Sequence, residues 1–209
     1  MPTVIVPVGF IMGPEFGAGG PVDRDPLYWE VHLGGDSQQL TVEEFSAWSE
    51  AFTDPPKHAE LTVNRQSLEQ RLTENDGGLA GAIDNPDPIV TSLIERGLLV
   101  EFDPVNDWLQ HLFDRLRLFP QGQGIGSTPD APDVYRISFA DVVLVNVSAN
   151  VYRLWSYAVR FPTLWQACSG LAGSTGAPEP LAREVAAVVP LLVSAGAAFL
   201  DPLSDHVSG

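Results

Sequence analysis

The sequence predicts a helix-rich α+β protein in which one unit is used twice, and three observations carry that prediction. First, sliding the chain on itself by 107 residues gives a gapless match from Tyr28/Tyr135 through Trp48/Trp155, Ser49/Ser156 and Ala51/Ala158 to Pro55/Pro162. Leu40/Val147, Thr41/Ser148 and Phe45/Tyr152 are similar pairs in the same register. Second, both segments change from β-like alternation to helical periodicity at the same point, and Thr41 and Ser148 stand there as N-cap residues. Third, LIERGLLVEFDP at 93–104 is echoed by LVSAGAAFLDP at 192–202, with Gly97/Gly196 at a shift of 99 and Asp103-Pro104/Asp201-Pro202 at a shift of 98. Altered spacing inside with similar beginnings and ends is what diverged copies with changed loops leave behind.

Each copy reads in the same order. A strand region leads in, Leu27 to Leu40 and Val134 to Val147. A capped helix follows, with Thr41 and Glu44 forming a capping box in the first copy. Phe45, Trp48 and Phe52, and Tyr152, Trp155 and Val159, fall at helical spacing on an inner face. The second helix is expected at Arg65 to Leu72 and Thr163 to Leu171. The third is expected at Asp87 to Arg96 and Glu179 to Ala195, with Pro88 and Pro180 in the first turn, where a missing N–H costs nothing. Gly97 and Gly196 suit a left-handed C-cap, and a short strand ends at Asp-Pro. Thr3 to Met12 reads as a strand or strand pair, with Pro2 at an end and Pro7 at a bend.

Between the copies, VNDWLQHLFDRLRLF predicts an amphipathic helix with Val105, Trp108, Leu109, Leu112 and Leu116 on one face. PQGQGIGSTPDAPD then reads as a linker. The expected organisation is therefore a first unit over 1–104, a linker helix and linker over 105–133, and a second unit over 134–209. The run from Val185 to Ala198 is more apolar than one buried face needs, which predicts burial between the copies, with a partner or dimer surface as the alternative; Pro190 within it predicts a kink or a stop.

The chain carries 11 Lys and Arg against 27 Asp and Glu, a formal charge of −16. Residues 1–104 hold 18 acids and 5 bases (−13), residues 105–209 hold 9 and 6 (−3). This balance disfavours nucleic acid and anionic membranes as partners. Lys57 is the sole lysine and Cys168 the sole cysteine, which leaves no internal disulfide or thiolate cluster and fits a cytoplasmic protein of GC-rich bacterial coding bias. The N-terminus lacks the basic start of a secretory signal, and no stretch approaches a membrane span.

Chemistry-bearing motifs are sparse. GQGIG at 122–126 has the reverse of the strand-to-helix context that a dinucleotide loop needs. Asp107, His111 and Asp114 share one side of the expected linker helix, where a solvated face is the favoured reading and a metal site in an accessory enzyme subunit the rival. His32, His58 and His206 have no evident ligand partner in sequence. Cys168 falls at helical spacing from Leu164 and Leu171, as a small buried residue does. No catalytic residue, cofactor or metal ligand set is assigned, and a non-enzymatic role is expected.

Strand, three helices and strand, with the Leu-x-x-x-Gly ending of helix three, resembles a winged helix-turn-helix domain. The leading strands and the LIERGLL ending are similar to the peptide-recognition domains of modified-peptide biosynthesis, of the pyrroloquinoline-quinone peptide-chaperone type. The resemblance implies a protein or peptide partner, held along a strand edge and beside helix three. In the first copy that surface would include Tyr28, Glu30, His32, Asp87, Thr91 and Glu95, and its acidity implies a basic partner segment. In the second copy Arg153, Tyr157 and Arg160 stand in contrast. A second copy of the chain is also left open as partner. The alternative is a DNA-binding regulator using Arg115, Arg117, Arg136, Arg153 and Arg160, although neither third helix offers the Arg, Lys, Asn or Gln face that reads a major groove.

Overall fold

The N-cap chemistry sets the frame of both halves. Thr41 Oγ1 accepts from the Glu44 N–H at 3.2 Å and the Glu44 carboxylate accepts from the Thr41 N–H at 3.0 Å, opening α1 (Val42–Glu50). Ser148 Oγ accepts from the Val151 N–H at 3.2 Å and opens α5 (Ala149–Tyr157). Such caps each stabilise a helix by about 1 kcal/mol. A computed structural model describes residues 3–17, 25–52, 62–75, 78–172 and 176–203; Pro2, Pro55, Lys57, His58 and His206 lie outside the described residues.

The same element order appears twice. The first half runs β1 (Val4–Pro7), β2 (Phe10–Glu15), β3 (Tyr28–Leu33), β4 (Asp36–Leu40), α1, α2 (Arg65–Glu74), α3 (Asp87–Glu95) and β5 (Leu99–Phe102). After a short α4 (Leu109–Phe113), the second half runs β6 (Leu116–Pro120), β7 (Gln123–Thr128), β8 (Ala131–Phe139), β9 (Val142–Val147), α5, α6 (Leu164–Ala172), α7 (Pro178–Ser194) and β10 (Ala198–Pro202). In each half a three-stranded antiparallel meander, β2-β3-β4 or β7-β8-β9, precedes three helices, and the last strand returns to pair with the first, β5 with β1 and β10 with β6. The architecture is mixed α+β. With 39% helix and 32% strand it is not the helix-rich protein expected.

The extra strand content lies where a linker was expected. Residues 116–128 form β6 and β7, which pair with β10 and β8 and so belong with the second half. The β2 and β7 strands even share their irregularities. Each has a register shift, at Ile11/Gly13 and at Gly124/Gly126. Each is entered through a glycine of positive φ, Gly9 at 96° and Gly122 at 83°, whose added Cβ would meet a strand carbonyl (His32 or Ser138) at 2.6 Å. GFIMG at 9–13 and GQGIG at 122–126 are thus the same device at a shift of 113.

The amphipathic helix expected from Val105 shrinks to α4. The Asp103 carboxylate accepts from the Val105 and Asn106 N–H groups at 2.8 and 3.0 Å, and Asp107 accepts from the Asp103 N–H at 2.7 Å. This side-chain turn competes with helix for residues 103–107. Trp108 consequently does not join the core and is 75% exposed, while Leu116 is buried in β6.

Trp48 and Trp155 lie in the core of their halves, each with an indole N–H donating to a backbone carbonyl, Val8 at 3.1 Å and Ala197 at 2.6 Å. Those carbonyls sit where the first and last strands meet: the Val8 N–H donates to Leu98 O and the Gln121 N–H to Ala197 O. The apolar run in α7 is buried against α4, α5, α6 and, across the halves, β1. Pro190 neither stops nor splits the helix; it is buried within one continuous span. Further cross-half bonds join the Gly9 N–H to Leu200 O at 2.7 Å and the Gly34 N–H to the Asp201 carboxylate at 2.7 Å, and one apolar cluster runs through both halves.

Gly122→Ala separates a linker from a strand entrance. In a linker it is near neutral; here strained φ plus the clash with Ser138 O should cost about 2 kcal/mol or more in urea unfolding.

Candidate functional site

The β3–β4 hairpin turns through Gly34 and Gly35, and among the described residues β4 ends its sheet with no strand on its far side. Arg96, at the end of α3, donates to Gln39 O at 3.1 Å and to the Glu44 carboxylate at 2.7 Å. Because Gln39 O is met from outside the sheet, Gln39 presents its backbone outward, and by the alternation of an antiparallel ladder so does Ser37. Beside this edge lies an open groove of about 940 Å³. One wall is Asp36, Gln38 and the α3 terminus from Ile94 to Gly97; the floor is β5; the other wall is Asp107, Trp108, His111, Leu112 and Arg115, closed by Pro202 and Leu203 of the second half.

The groove combines apolar floor with charged rim. Leu99 and Phe102 are buried, and Asp36 and Glu95 are exposed carboxylates. Glu101 is held by Arg65 at 3.3 Å, so its charge is partly compensated. Trp108 presents an aromatic face on the rim that no helix claims, the kind of group that anchors a partner's apolar or cationic side chain.

The residues singled out from sequence do not assemble into one surface. Glu95 lines the groove. Asp87 and Thr91 both accept from Arg65 Nη1 at 3.1 Å, and Arg65 Nη2 donates to Glu101 at 3.3 Å, so they knit α2, α3 and β5 together. Tyr28, Glu30 and His32 lie on β3, the central strand, whose two edges are already paired; Glu30 accepts from Ser37 Oγ and lies 3.7 Å from His32. In the second half, Arg160 stacks over the Tyr157 ring at 4.8 Å, with Arg153 exposed one helical turn before Tyr157. The arginines of the DNA alternative are dispersed: Arg115 lines the groove, Arg117 lies over Phe119 at 4.7 Å, and Arg136 donates to Gly126 O at 3.4 Å.

Trp108 was missed as a surface group because its spacing from Leu112 mimics a core stripe; the Asp103/Asn106/Asp107 cluster, a turn signature, was the signal that could have placed it. Asp107 and His111 line the groove, but α4 is too short to carry Asp107, His111 and Asp114 on one helical face. Among the described residues no group of three or more His, Cys, Asp or Glu side chains is arranged to hold a metal ion, and no helix is long and apolar enough to cross a membrane.

Cys168 is buried in α6, and burial pushes its thiol from the usual 9.0 up to about 12. The unfolded chain therefore loses this proton first. The contribution of the protonated thiol is complete below pH 9 and declines as pH rises from about 9 toward 12, by a few kcal/mol in all, on the order of 1.4 kcal/mol per pH unit. Unfolding free energies measured across that range should fall less steeply for Cys168→Ala than for the unaltered chain. Comparison with known proteins adds no relative: no family model matches the chain, and neither a curated protein nor a solved structure does.

Proposed function

We propose that the protein binds an extended peptide or protein segment in the groove between β4, α3 and α4. The observation that carries this reading is the outward-facing edge of β4 opening directly onto a groove with an apolar floor. A segment laid along Ser37 and Gln39 gains main-chain hydrogen bonds, and its side chains can reach the half-buried Ile94, Val100 and Leu112 that line the groove. The meander followed by three helices, in the order of winged-helix peptide-recognition domains, supports the same reading, and with it an accessory role in a peptide-modifying pathway. The likeness to a tandem of winged-helix units remains part of this proposal. It is a fold-level analogy; the site supplies the chemistry.

Charge favours a cationic segment. β4, α3 and β5, which supply one wall and the floor, belong to the part that carries −13 of the −16; the carboxylates of Asp36, Glu95 and Asp107 line the groove beside Arg96 and Arg115, and Trp108 offers a ring to a Lys or Arg. Arg96 already sits over the edge at Gln39 O and would have to share or yield that carbonyl as the segment docks.

Selection from a randomised peptide library, with titration calorimetry of the best binders, tests the proposal. Enrichment of Lys or Arg alternating with apolar residues is expected, with Glu95→Lys and Trp108→Ala each weakening binding about tenfold, the 1.4 kcal/mol scale of one good rim contact. Binders indifferent to both substitutions, or tight and steeply salt-dependent binding of random duplex DNA in their place, would sink it.

A further inference from the structure

The two halves use equivalent hairpins differently. The β3–β4 hairpin turns at Gly34-Gly35 between the paired residues Leu33 and Asp36, and the β8–β9 hairpin turns at Ala140-Asp141 between Phe139 and Val142. In the first half the tip is covered by the second: the Gly34 N–H bonds Asp201, and Leu33 is 8% exposed. In the second half every residue from Phe139 to Val143 is exposed. Phe139 is 65%, Val142 64% and Val143 43% exposed.

Three more features mark this hairpin. Its turn holds two non-glycine residues in the left-handed region, Ala140 at φ 45° and Asp141 at φ 68°, where the first half has glycines; each is a strained choice that an idle turn does not need. β9 is a sheet edge of sequence VVLVNV, free of Lys, Arg and Pro, which are common guards of exposed edges. The counterpart edge, DSQQL, is polar and has Arg96 across it. Finally, the hairpin lies on the half that carries only −3 of the −16 charge, so two chains meeting there keep their −13 halves apart.

We infer that β9 and the Phe139–Val143 tip form a self-association surface occupied by a second copy of this chain, with β9 pairing antiparallel to its twin across a two-fold axis. An isologous contact of this kind joins the two β7-β8-β9 meanders into one six-stranded sheet and removes both open edges. It also gives the second tip the cover that the first already has inside the chain. The surface is separate from the groove, so dimer formation stands or falls independently of peptide binding.

Sedimentation of the full chain over a wide concentration range tests the inference. A dimer is expected, converted to monomer by Val143→Lys and by Phe139→Asp, with unchanged circular dichroism because both side chains are exposed, and with a melting temperature that no longer rises with concentration as the wild type's does. Ile11→Lys, on the edge strand β2, should leave the dimer intact. Amide exchange at Val143 should slow as concentration rises, a readout that does not depend on any variant folding. A wild-type chain monomeric at high micromolar concentration, or a dimer that survives both substitutions, would overturn the inference.

Discussion

Each half of this protein is closed by its two ends. The strand after helix three returns to the strand that began the unit, and a tryptophan from helix one donates its indole N–H to a carbonyl at that junction. The Val8–Leu98 and Gln121–Ala197 bonds tie the segment after each third helix to the strand that began the unit. Trp48 and Trp155 make that junction sensitive to the packing of α1 and α5, because a buried indole N–H must find an acceptor. The cross-half contacts build on the same place: Gly9, one residue past the Val8 junction, bonds Leu200, and Asp201 beside it holds the Gly34 turn. The groove exists because this joint brings Pro202 and Leu203 against α4 and the α3 terminus.

Divergence between the halves then becomes a division of surfaces. Arg65 and Arg96 form ion pairs in the first half that link α2 to α3 and β5, and α3 to α1, and Arg96 also donates to Gln39 O of β4. The second half replaces them with a longer third helix, seventeen residues against nine, whose apolar faces pack both its own helices and β1. One half thereby presents a polar edge and an acidic groove, the other an apolar edge.

What the sequence revealed depended on local signals. Thr41, Ser148, Gly97 and Gly196 act through backbone groups within four residues of themselves, so the helix boundaries could be read to within a residue or two. The strands of 116–128 could not, because Gly122, Gly124 and Gly126 leave no side-chain alternation to detect, and the partners of β6 lie some eighty residues away in β10. Trp108 was misassigned for the opposite reason: its periodicity is real, but three carboxylate and amide side chains at 103–107 capture the backbone first. Of the residues proposed for binding, Glu95 alone lines the groove, since nothing local could tell that Arg65 would claim Asp87 and Thr91 or that β3 would be the central strand. The groove itself is made by elements far apart in sequence and was legible only as an expectation that a strand edge would lie beside helix three.

The central claim, an extended segment paired along β4, is tested most directly by amide hydrogen exchange of the full chain with and without a selected cationic peptide. The account predicts slowed exchange at Ser37 and Gln39, with Trp108 and the end of α3 perturbed and α5 unchanged. Protection confined to α5 around Arg153, Tyr157 and Arg160, with β4 unaltered, would contradict it.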